Sequence, residues 1–223
     1  MRSLYLMNLY LIKNIRKNLA LPIACTLGLL WCLNQPSAQA GNEATVGRPA
    51  PNFSLTDMHG KKVSLSDFKG KTLVLEWLNH GCPYVKKHYD SEFKNMQSLQ
   101  KKYVDKGIVW LSIVSSRAGK QGHMNAKKAL DTTEEVGAHP TTVLLDADGS
   151  VGKLYGAKTT PHMFVISDDG RIAYEGAIDD KPTTKLSSLK DAKNYVSSAL
   201  DAIMKKEPIE VSYSKPYGCS VKY

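Results

Sequence analysis

The feature that most constrains the fold of this chain is a buried strand that runs directly into a cysteine and then into a helix. Residues 72–78 read Thr-Leu-Val-Leu-Glu-Trp-Leu, an apolar run typical of a central strand. Asn79-His80-Gly81-Cys82 follow, and Pro83 suits the first position of a helix. Apolar residues at three- and four-residue steps predict one helix from Pro83 to about Lys106. Cys82 therefore lies at the carboxyl end of a central strand, where α/β folds place functional sites.

The order of the other predicted elements favours an α/β protein with a mixed sheet. Two alternating runs, 53–56 and 62–65, flank a turn at 57–60 and predict an N-terminal β-hairpin. An amphipathic helix is predicted over 187–206, where Pro208 stops it. The elements between them are strands at 108–114, 141–145, 163–166 and 172–175, a helix at about 124–136, and helical turns at 66–70 and 151–155. Strands and helices alternate along the chain, and the last elements are a hairpin followed by a helix. This order implies a central mixed sheet flanked by helices.

The first forty residues have the organisation of a secretory signal peptide. Four basic residues without an acidic partner precede the apolar run 19–33, and Ala38-Gln39-Ala40 supplies a small-x-small cleavage site. The alternative is an uncleaved membrane anchor, but the apolar run has 15 residues and contains Pro22. A spanning helix needs about 20 apolar residues. We therefore expect cleavage after Ala40, a periplasmic or secreted protein, and no membrane span in the mature chain.

The composition of the mature chain argues against a nucleic-acid partner. Without residues 1–40, the chain has 26 Lys and Arg against 21 Asp and Glu, a net charge of +5. The lysines are scattered in pairs such as Lys86-Lys87, with acids nearby and no interleaved aromatic residues, which is typical of solvated helix faces. Cys25 and Cys32 would leave with the signal peptide, so Cys82 and Cys219 remain where a disulfide can persist.

The position of Cys82 favours an ionised thiol. Unsatisfied N–H groups and the positive end of the helix dipole stabilise a thiolate at a helix N-terminus. A thiolate is the nucleophile that attacks disulfides and peroxides. The alternative interpretation is a buried, inert cysteine.

Four segments together resemble the peroxiredoxin-like (redoxin) branch of the thioredoxin superfamily. They are residues 46–55 (Val-Gly-Arg-Pro-Ala-Pro-Asn-Phe-Ser-Leu), residues 65–71 (Leu-Ser-Asp-Phe-Lys-Gly-Lys), the Cys82-Pro83 junction, and residues 159–166 ahead of Asp168-Asp169-Gly170. The resemblance covers about residues 44 to 206. It implies a thioredoxin fold in a domain over 41–206, followed by a C-terminal tail over 207–223 that carries Cys219.

The resemblance also implies roles for individual residues. Cys82 matches the reactive cysteine, and Pro161 matches the cis-proline that faces it, with Thr160 beside it. Glu76 matches a buried acid that shuttles protons, although a carboxylate paired with a lysine is an equal alternative. The candidate catalytic residues are Cys82, Cys219 and Glu76, and the candidate substrate contacts are Thr160, Pro161, Asn79 and Pro83.

The chain also departs from the patterns of its apparent relatives. Thioredoxins carry a second cysteine three residues after the first, but this chain has Val85 there. Peroxiredoxins place Thr or Ser three residues before the reactive cysteine, with a proline four residues earlier still, where this chain has Asn79 and Leu75. Arg117 lies in a loop and is a poor match to the arginine of those enzymes. Thiol chemistry is therefore better supported than peroxidase activity.

Three functions are compatible with these residues. The first is a thiol-dependent oxidoreductase without a cofactor, in which Cys82 attacks peroxide or a disulfide and either Cys219 or an external thiol or partner protein resolves the product. The second is a copper-binding module built from Cys82 and three histidines, His80, His88 and His162. The third is a non-catalytic interaction protein. Cys219 has its own alternative, as a small apolar residue in a tail that packs through Tyr217, Val221 and Tyr223.

Overall fold

The protein is described by a computed structural model that covers residues 44–223, and its centre is a mixed β-sheet. The described strands are β1 (Ser54–Asp57), β2 (Lys62–Ser64), β3 (Leu73–Trp77), β4 (Val109–Val114), β5 (Thr142–Leu145), β6 (Thr159–Thr160), β7 (His162–Ile166), β8 (Ile172–Gly176) and β9 (Cys219–Ser220). Seven of them form one sheet in the order β2-β1-β5-β4-β3-β7-β8, and β6 pairs separately with β9. The expected signal peptide lies outside the described residues.

The pairing within the sheet confirms the predicted α/β class and the N-terminal hairpin. Strand β3 pairs in parallel with β4 and antiparallel with β7, and β4 pairs in parallel with β5. Strands β1 and β2 are antiparallel, with Thr56 opposite Lys62 and a turn in which Gly60 has a φ of +81°. Glycine suits that turn because a Cβ atom disfavours positive φ.

Five helices lie in the described part of the chain. They are α1 (Pro83–His88), α2 (Asn95–Val104), α3 (Ala126–Glu135), α4 (Ser150–Leu154) and α5 (Tyr195–Lys205), with 3-10 turns at Leu65–Phe68 and Leu186–Asp191. None of the helices among residues 44–223 is long and apolar enough to cross a membrane.

Two apolar clusters cover the two faces of the sheet, and β3 contributes to both. Val74 packs with Met96, Tyr103 and the α5 residues Val196 and Leu200 on one face. Leu73, Leu75 and Trp77 pack on the opposite face with residues of β4, β5 and β7. All five residues of β3 are buried, which explains why its sequence is almost continuously apolar.

The single helix predicted from Pro83 onward is wrong, because α1 and α2 are separate. The carboxylate Oδ1 of Asp90 accepts hydrogen bonds from the backbone N–H groups of Glu92 (3.0 Å) and Phe93 (3.1 Å). This local bonding competes with the helix, as is common for aspartate. Lys94 then adopts a left-handed conformation, with a φ of +47°, immediately before α2.

The helix predicted over 187–206 is also shorter than expected. Its first part is a 3-10 turn that ends at Asp191, and Ala192 is extended. Helix α5 begins only after Asn194, whose side-chain oxygen accepts a hydrogen bond from the N–H of Ser197 at 2.8 Å. An asparagine in this position satisfies one of the free N–H groups of a helix start. The helix ends at Lys205, with Pro208 beyond it.

The tail after α5 follows the surface of the domain and then pairs with β6. It is first bonded to β8, where Ser214 N–H donates to the carbonyl of Glu175 at 3.1 Å. Strand β9 then pairs antiparallel with β6, and Val221 N–H donates to the carbonyl of Lys158 at 3.1 Å. At its end, the Tyr223 hydroxyl donates to the carbonyl of Ala157 at 2.7 Å. The tail is therefore bonded to the domain along its length.

Candidate active site

Cys82 sits at the junction that the sequence predicts, after β3 and at the start of α1. Its N–H donates to the carbonyl of Asn79 at 2.9 Å, and its own carbonyl accepts the first hydrogen bond of α1 from Lys86 at 2.9 Å. Pro83 is the first residue of the helix, where the missing N–H of proline costs no hydrogen bond. The Cys82 side chain is fully buried.

The second thiol of the site comes from the tail. The Sγ atom of Cys219 lies 2.8 Å from Sγ of Cys82, and both cysteines are free. A disulfide bond is about 2.05 Å long, so a shift of less than about 1 Å brings the two sulfurs to bonding distance. Cys82 Sγ also lies 3.1 Å from the carbonyl oxygen of Thr160. The pairing of β6 with β9 holds this arrangement by placing Cys219 directly opposite Thr160.

The two thiols differ in acidity. Burial opposes ionisation of Cys82, but hydrogen bonds from the Cys219 thiol and from the backbone at Val85 and Cys219 lower the pKa of Cys82 overall. Burial raises the pKa of Cys219 to about 11, and its hydrogen bond to Cys82 and the charge on that sulfur act in the same direction. Cys82 is therefore the more acidic thiol of the pair, and Cys219 holds its proton more tightly.

The Thr160–Pro161 peptide bond is cis, as the family resemblance implies, and it adjoins the thiols. The edge of β6 at Thr160 is paired with strand β9 of the tail. Gly218 has a φ of +139°, and a Cβ atom at this position would lie 2.2 Å from the carbonyl oxygen of Thr160. Glycine is therefore required for the tail to approach β6 this closely.

Glu76 is fully buried in β3, and both of its carboxylate oxygens accept hydrogen bonds. The Tyr89 hydroxyl donates to Oε1 at 2.8 Å. Three further side chains donate to Oε2, namely Trp110 (2.8 Å), Ser112 (3.0 Å) and Gln100 (3.0 Å). These partners are not the lysine of the alternative interpretation. Burial raises the pKa of Glu76, and the four hydrogen bonds oppose that rise. A raised pKa is what a proton shuttle requires, while the same contacts also bind β3 to its neighbours.

A buried polar cluster beside the thiols was missed by the sequence analysis. Lys87, His88 and Asp179 are each at most 2% exposed, and the Tyr217 hydroxyl enters the cluster from the tail. Lys87 Nζ lies 3.7 Å from Asp179 Oδ2, and it donates to the Tyr217 hydroxyl oxygen at 3.2 Å. The expectation that Lys86-Lys87 lies on a solvated helix face is therefore wrong for Lys87. Its position two residues after the buried Val85 gave no periodic signal of burial.

The three histidines of the alternative copper-binding interpretation have other partners. The His80 ring packs against Tyr89, with centroids 4.7 Å apart. His88 Nε2 lies 3.2 Å from the Tyr217 hydroxyl, and the His162 ring packs against Phe164 on the other face of the sheet. Among residues 44–223, no group of three or more His, Cys, Asp or Glu side chains is arranged to hold a metal ion. The described part of the chain therefore does not bring Cys82 and the three histidines together as that alternative requires.

Comparison with known proteins places this site within a family. The sequence model of the redoxin family matches residues 45–194, which include Cys82, Pro161 and the whole central sheet. The chain belongs to the redoxin family. This confirms the redoxin branch of the thioredoxin superfamily and the thioredoxin fold inferred from the sequence.

Curated relatives and solved structures agree with this assignment. The redoxin is 32% identical over 130 residues to the thiol-disulfide oxidoreductase ResA of Bacillus thuringiensis subsp. konkukian, covering 58% of this chain and 68% of that protein. It is 30% identical over 159 residues to ResA of Bacillus subtilis, covering 71% and 80%. A hypothetical protein of Sinorhizobium meliloti has the same fold, with a TM-score of 0.69 and 25% identity over 80% of this chain and 94% of that one. An uncharacterised protein of Geobacillus kaustophilus gives a TM-score of 0.65 and 27% identity, over 81% and 93%.

The residues of this redoxin that depart from peroxidases have other partners. The Asn79 side chain is buried; its oxygen accepts from Gly81 N–H at 2.8 Å, and its amide donates to the carbonyl of Gln121 at 3.3 Å. Arg117 is exposed in its loop, where its backbone N–H donates to the carbonyl of Lys222 at 2.9 Å. Asn79 thus positions the turn before Cys82 and joins it to the loop at 115–122.

Proposed function

We propose that this redoxin is an exported thiol-disulfide oxidoreductase that uses Cys82 as the nucleophile and Cys219 as the resolving thiol. The observation that carries the proposal is the 2.8 Å approach of Cys219 Sγ to Cys82 Sγ. The opposite shifts of the two pKa values support the same division of roles. The names of the ResA relatives support disulfides as the substrate class.

The reaction begins when the Cys82 thiolate attacks one sulfur of a substrate disulfide. A bond forms between Cys82 and the attacked sulfur as the substrate S–S bond breaks, and the other substrate sulfur leaves as a thiolate that takes up a proton. Cys219, after losing its proton, then attacks Cys82 Sγ and displaces the substrate sulfur that is bonded to it, which leaves as a second thiolate and is protonated. The substrate is reduced by two electrons while Cys82 and Cys219 are oxidised to a disulfide. An external thiol reductant or partner protein must then reduce that bond to restore the starting state.

Disulfides fit the site better than peroxides. Both polar groups of the Asn79 amide have protein partners, so this side chain is not free to orient a peroxide, and Arg117 is exposed to solvent. Strand β6 instead presents backbone groups next to Cys82, and these groups now pair with strand β9 of the tail. Backbone pairing of this kind suits a peptide substrate, with Thr160, Pro161 and Pro83 as its nearest contacts.

We also propose that the protein acts outside the cytoplasm, as a mature chain of a domain over 41–206 and a tail over 207–223. The basic, apolar and small-residue order of residues 1–40 supports export. A resolving disulfide would also persist best in an oxidising compartment. Cell fractionation with mass measurement of the purified protein tests this, because cleavage should leave Gly41 as the first residue.

The decisive test of function uses cysteine variants and oxidised glutathione. The wild-type protein should be converted to an intramolecular disulfide, Cys219→Ser should accumulate a mixed disulfide on Cys82, and Cys82→Ser should be inert. Undiminished activity in Cys82→Ser would overturn the proposal. Parallel reactions with hydrogen peroxide and equilibration with copper test the alternatives. Faster oxidation by peroxide than by disulfide would make the protein a peroxidase, and stoichiometric copper retention would make it a copper-binding module.

A further inference from the structure

The buried cluster of Lys87, His88, Asp179 and Tyr217 joins the same two segments that carry the thiols. Lys87 and His88 lie in α1, whose first turn begins at Cys82, and Tyr217 lies two residues before Cys219. The described hydrogen bonds of the cluster do not include either sulfur. Its connection to the reaction is therefore through the position of the tail.

The Tyr217 hydroxyl makes three hydrogen bonds within the cluster. It donates to Asp179 Oδ1, and it accepts from Lys87 Nζ at 3.2 Å. His88 Nε2 is a second donor at 3.2 Å, since His88 Nδ1 lies 2.7 Å from the Asn95 amide and accepts from it. These two partners indicate that His88 is neutral. The direction of its pKa agrees, because burial lowers the pKa of His88 to about 3. The hydroxyl thus makes one donated and two accepted bonds, which is its full capacity.

The tail that Tyr217 anchors also covers Cys82. Cys82 has no exposed surface while Cys219 lies against it and β9 pairs with β6. A substrate disulfide needs access to Cys82 Sγ and to the edge of β6, so the tail has to leave before an outside chain can react. Buried charges that lose a hydrogen-bond partner are strongly disfavoured, and the cluster therefore opposes this departure.

We propose that the Tyr217 site is a latch that positions Cys219 on Cys82, and that its release admits the disulfide substrate to Cys82. The inference rests on the proposed function. It makes Tyr217, Lys87, His88 and Asp179 positioning residues rather than catalytic residues. The same latch favours closure of the Cys82–Cys219 disulfide and slows the reaction of Cys82 with outside molecules, so its loss should move these two properties in opposite directions.

Tyr217→Phe tests the latch because it removes the hydroxyl and keeps the ring that packs against Tyr84. Hydrogen bonds to charged groups are strong enough that their loss should weaken tail docking about tenfold or more. We expect the equilibrium constant for oxidation of Cys82 and Cys219 to a disulfide by oxidised glutathione to fall by about that factor. In a Cys219→Ser background, Tyr217→Phe should raise the rate of iodoacetamide alkylation at Cys82 by a similar factor. The matched control is Tyr213→Phe in the same tail, because Tyr213 is 57% exposed.

Asp179→Asn weakens the same hydrogen bond from the side of the domain, and it makes the test a double-mutant cycle. If Tyr217 and Asp179 act through one latch, the disulfide equilibrium constant of the double variant should fall by a much smaller factor than the product of the two single-variant factors. If the disulfide equilibrium and the alkylation rate of Tyr217→Phe both match those of Tyr213→Phe, the proposal is wrong. A fall in both would show a merely structural role and would overturn it as well. Since glutathione and iodoacetamide report on the tail directly, these readouts hold even if the proposed substrate reduction fails.

Discussion

Replacement of Gly218 by alanine should separate the two cysteines without altering either of them. The residue has a φ of +139°, a conformation that side chains with a Cβ atom rarely adopt. A Cβ atom here would also lie 2.2 Å from the carbonyl oxygen and 2.8 Å from the carbonyl carbon of Thr160. These are backbone atoms of β6 beside the buried core, so they cannot swing aside as a side chain would. The tail therefore has to give up its pairing with β6.

The size of the effect follows from the cost of the docked conformation. A residue held in an unfavourable backbone region costs about 1–3 kcal/mol. Because about 1.4 kcal/mol corresponds to a factor of ten, strain alone weakens docking of the tail about 5- to 150-fold. The overlap with Thr160 adds to this, so we expect the effective concentration of Cys219 at Cys82 to fall by at least about tenfold.

The assay equilibrates the protein with mixtures of reduced and oxidised glutathione, alkylates the free thiols, and counts modified cysteines by mass spectrometry. Gly60→Ala is the matched control, since Gly60 also has a positive φ (+81°) but no other group within 4 Å of the point where a Cβ atom would lie. It should lower the overall stability slightly and leave the disulfide equilibrium unchanged. A Gly218→Ala protein with the same equilibrium as Gly60→Ala would refute the reasoning, because the β6–β9 pairing would then not hold Cys219 in place.

Three further outcomes test the site. Cys219→Ala should raise the pKa of Cys82, because it removes the thiol hydrogen bond that opposes the effect of burial. The pH profile of Cys82 alkylation should then shift to higher pH than in Cys219→Ser, and coincident profiles would contradict this. Glu76→Ala should destabilise the fold by about 3 kcal/mol or more in urea unfolding, since it leaves four buried donors without their acceptor. Asn79→Ala should cost about 1–3 kcal/mol in the same assay, as Gly81 N–H and the carbonyl of Gln121 lose their partner, and an unchanged midpoint would count against this role.

The parts of the site that could be predicted from the sequence depend on local patterns. An apolar run followed by Cys82 and Pro83 is sufficient to predict a strand, a turn and a helix start, because each residue type has a preference that acts over a few positions. The cis bond before Pro161 could also be predicted, since cis bonds occur almost only before proline and the surrounding segment resembles a known family.

The path of the tail could not be predicted in the same way. The approach of Cys219 to Cys82 depends on the β6–β9 pairing and on Tyr217, and both join segments that are far apart in the sequence. Lys87 illustrates the same difficulty. In the sequence it is one of several paired lysines, and only the folded chain shows Asp179 and the Tyr217 hydroxyl beside its ammonium group. The break at Asp90 is different, because a side chain that bonds its own backbone is a local signal that apolar periodicity conceals.

The position of Cys219 has a consequence for how long the molecule lasts in a compartment that contains proteases. A bond between Cys82 and Cys219 would close a loop of 137 positions that contains β4, β5, β7 and β8. The chain-entropy model gives about 5 kcal/mol for a loop of this length. Proteases act on the open fraction of a protein, and each step of about 1.4 kcal/mol lowers that fraction about tenfold. Oxidised molecules would thus outlive reduced ones, and the ratio of intact to degraded protein would record the redox history of the compartment.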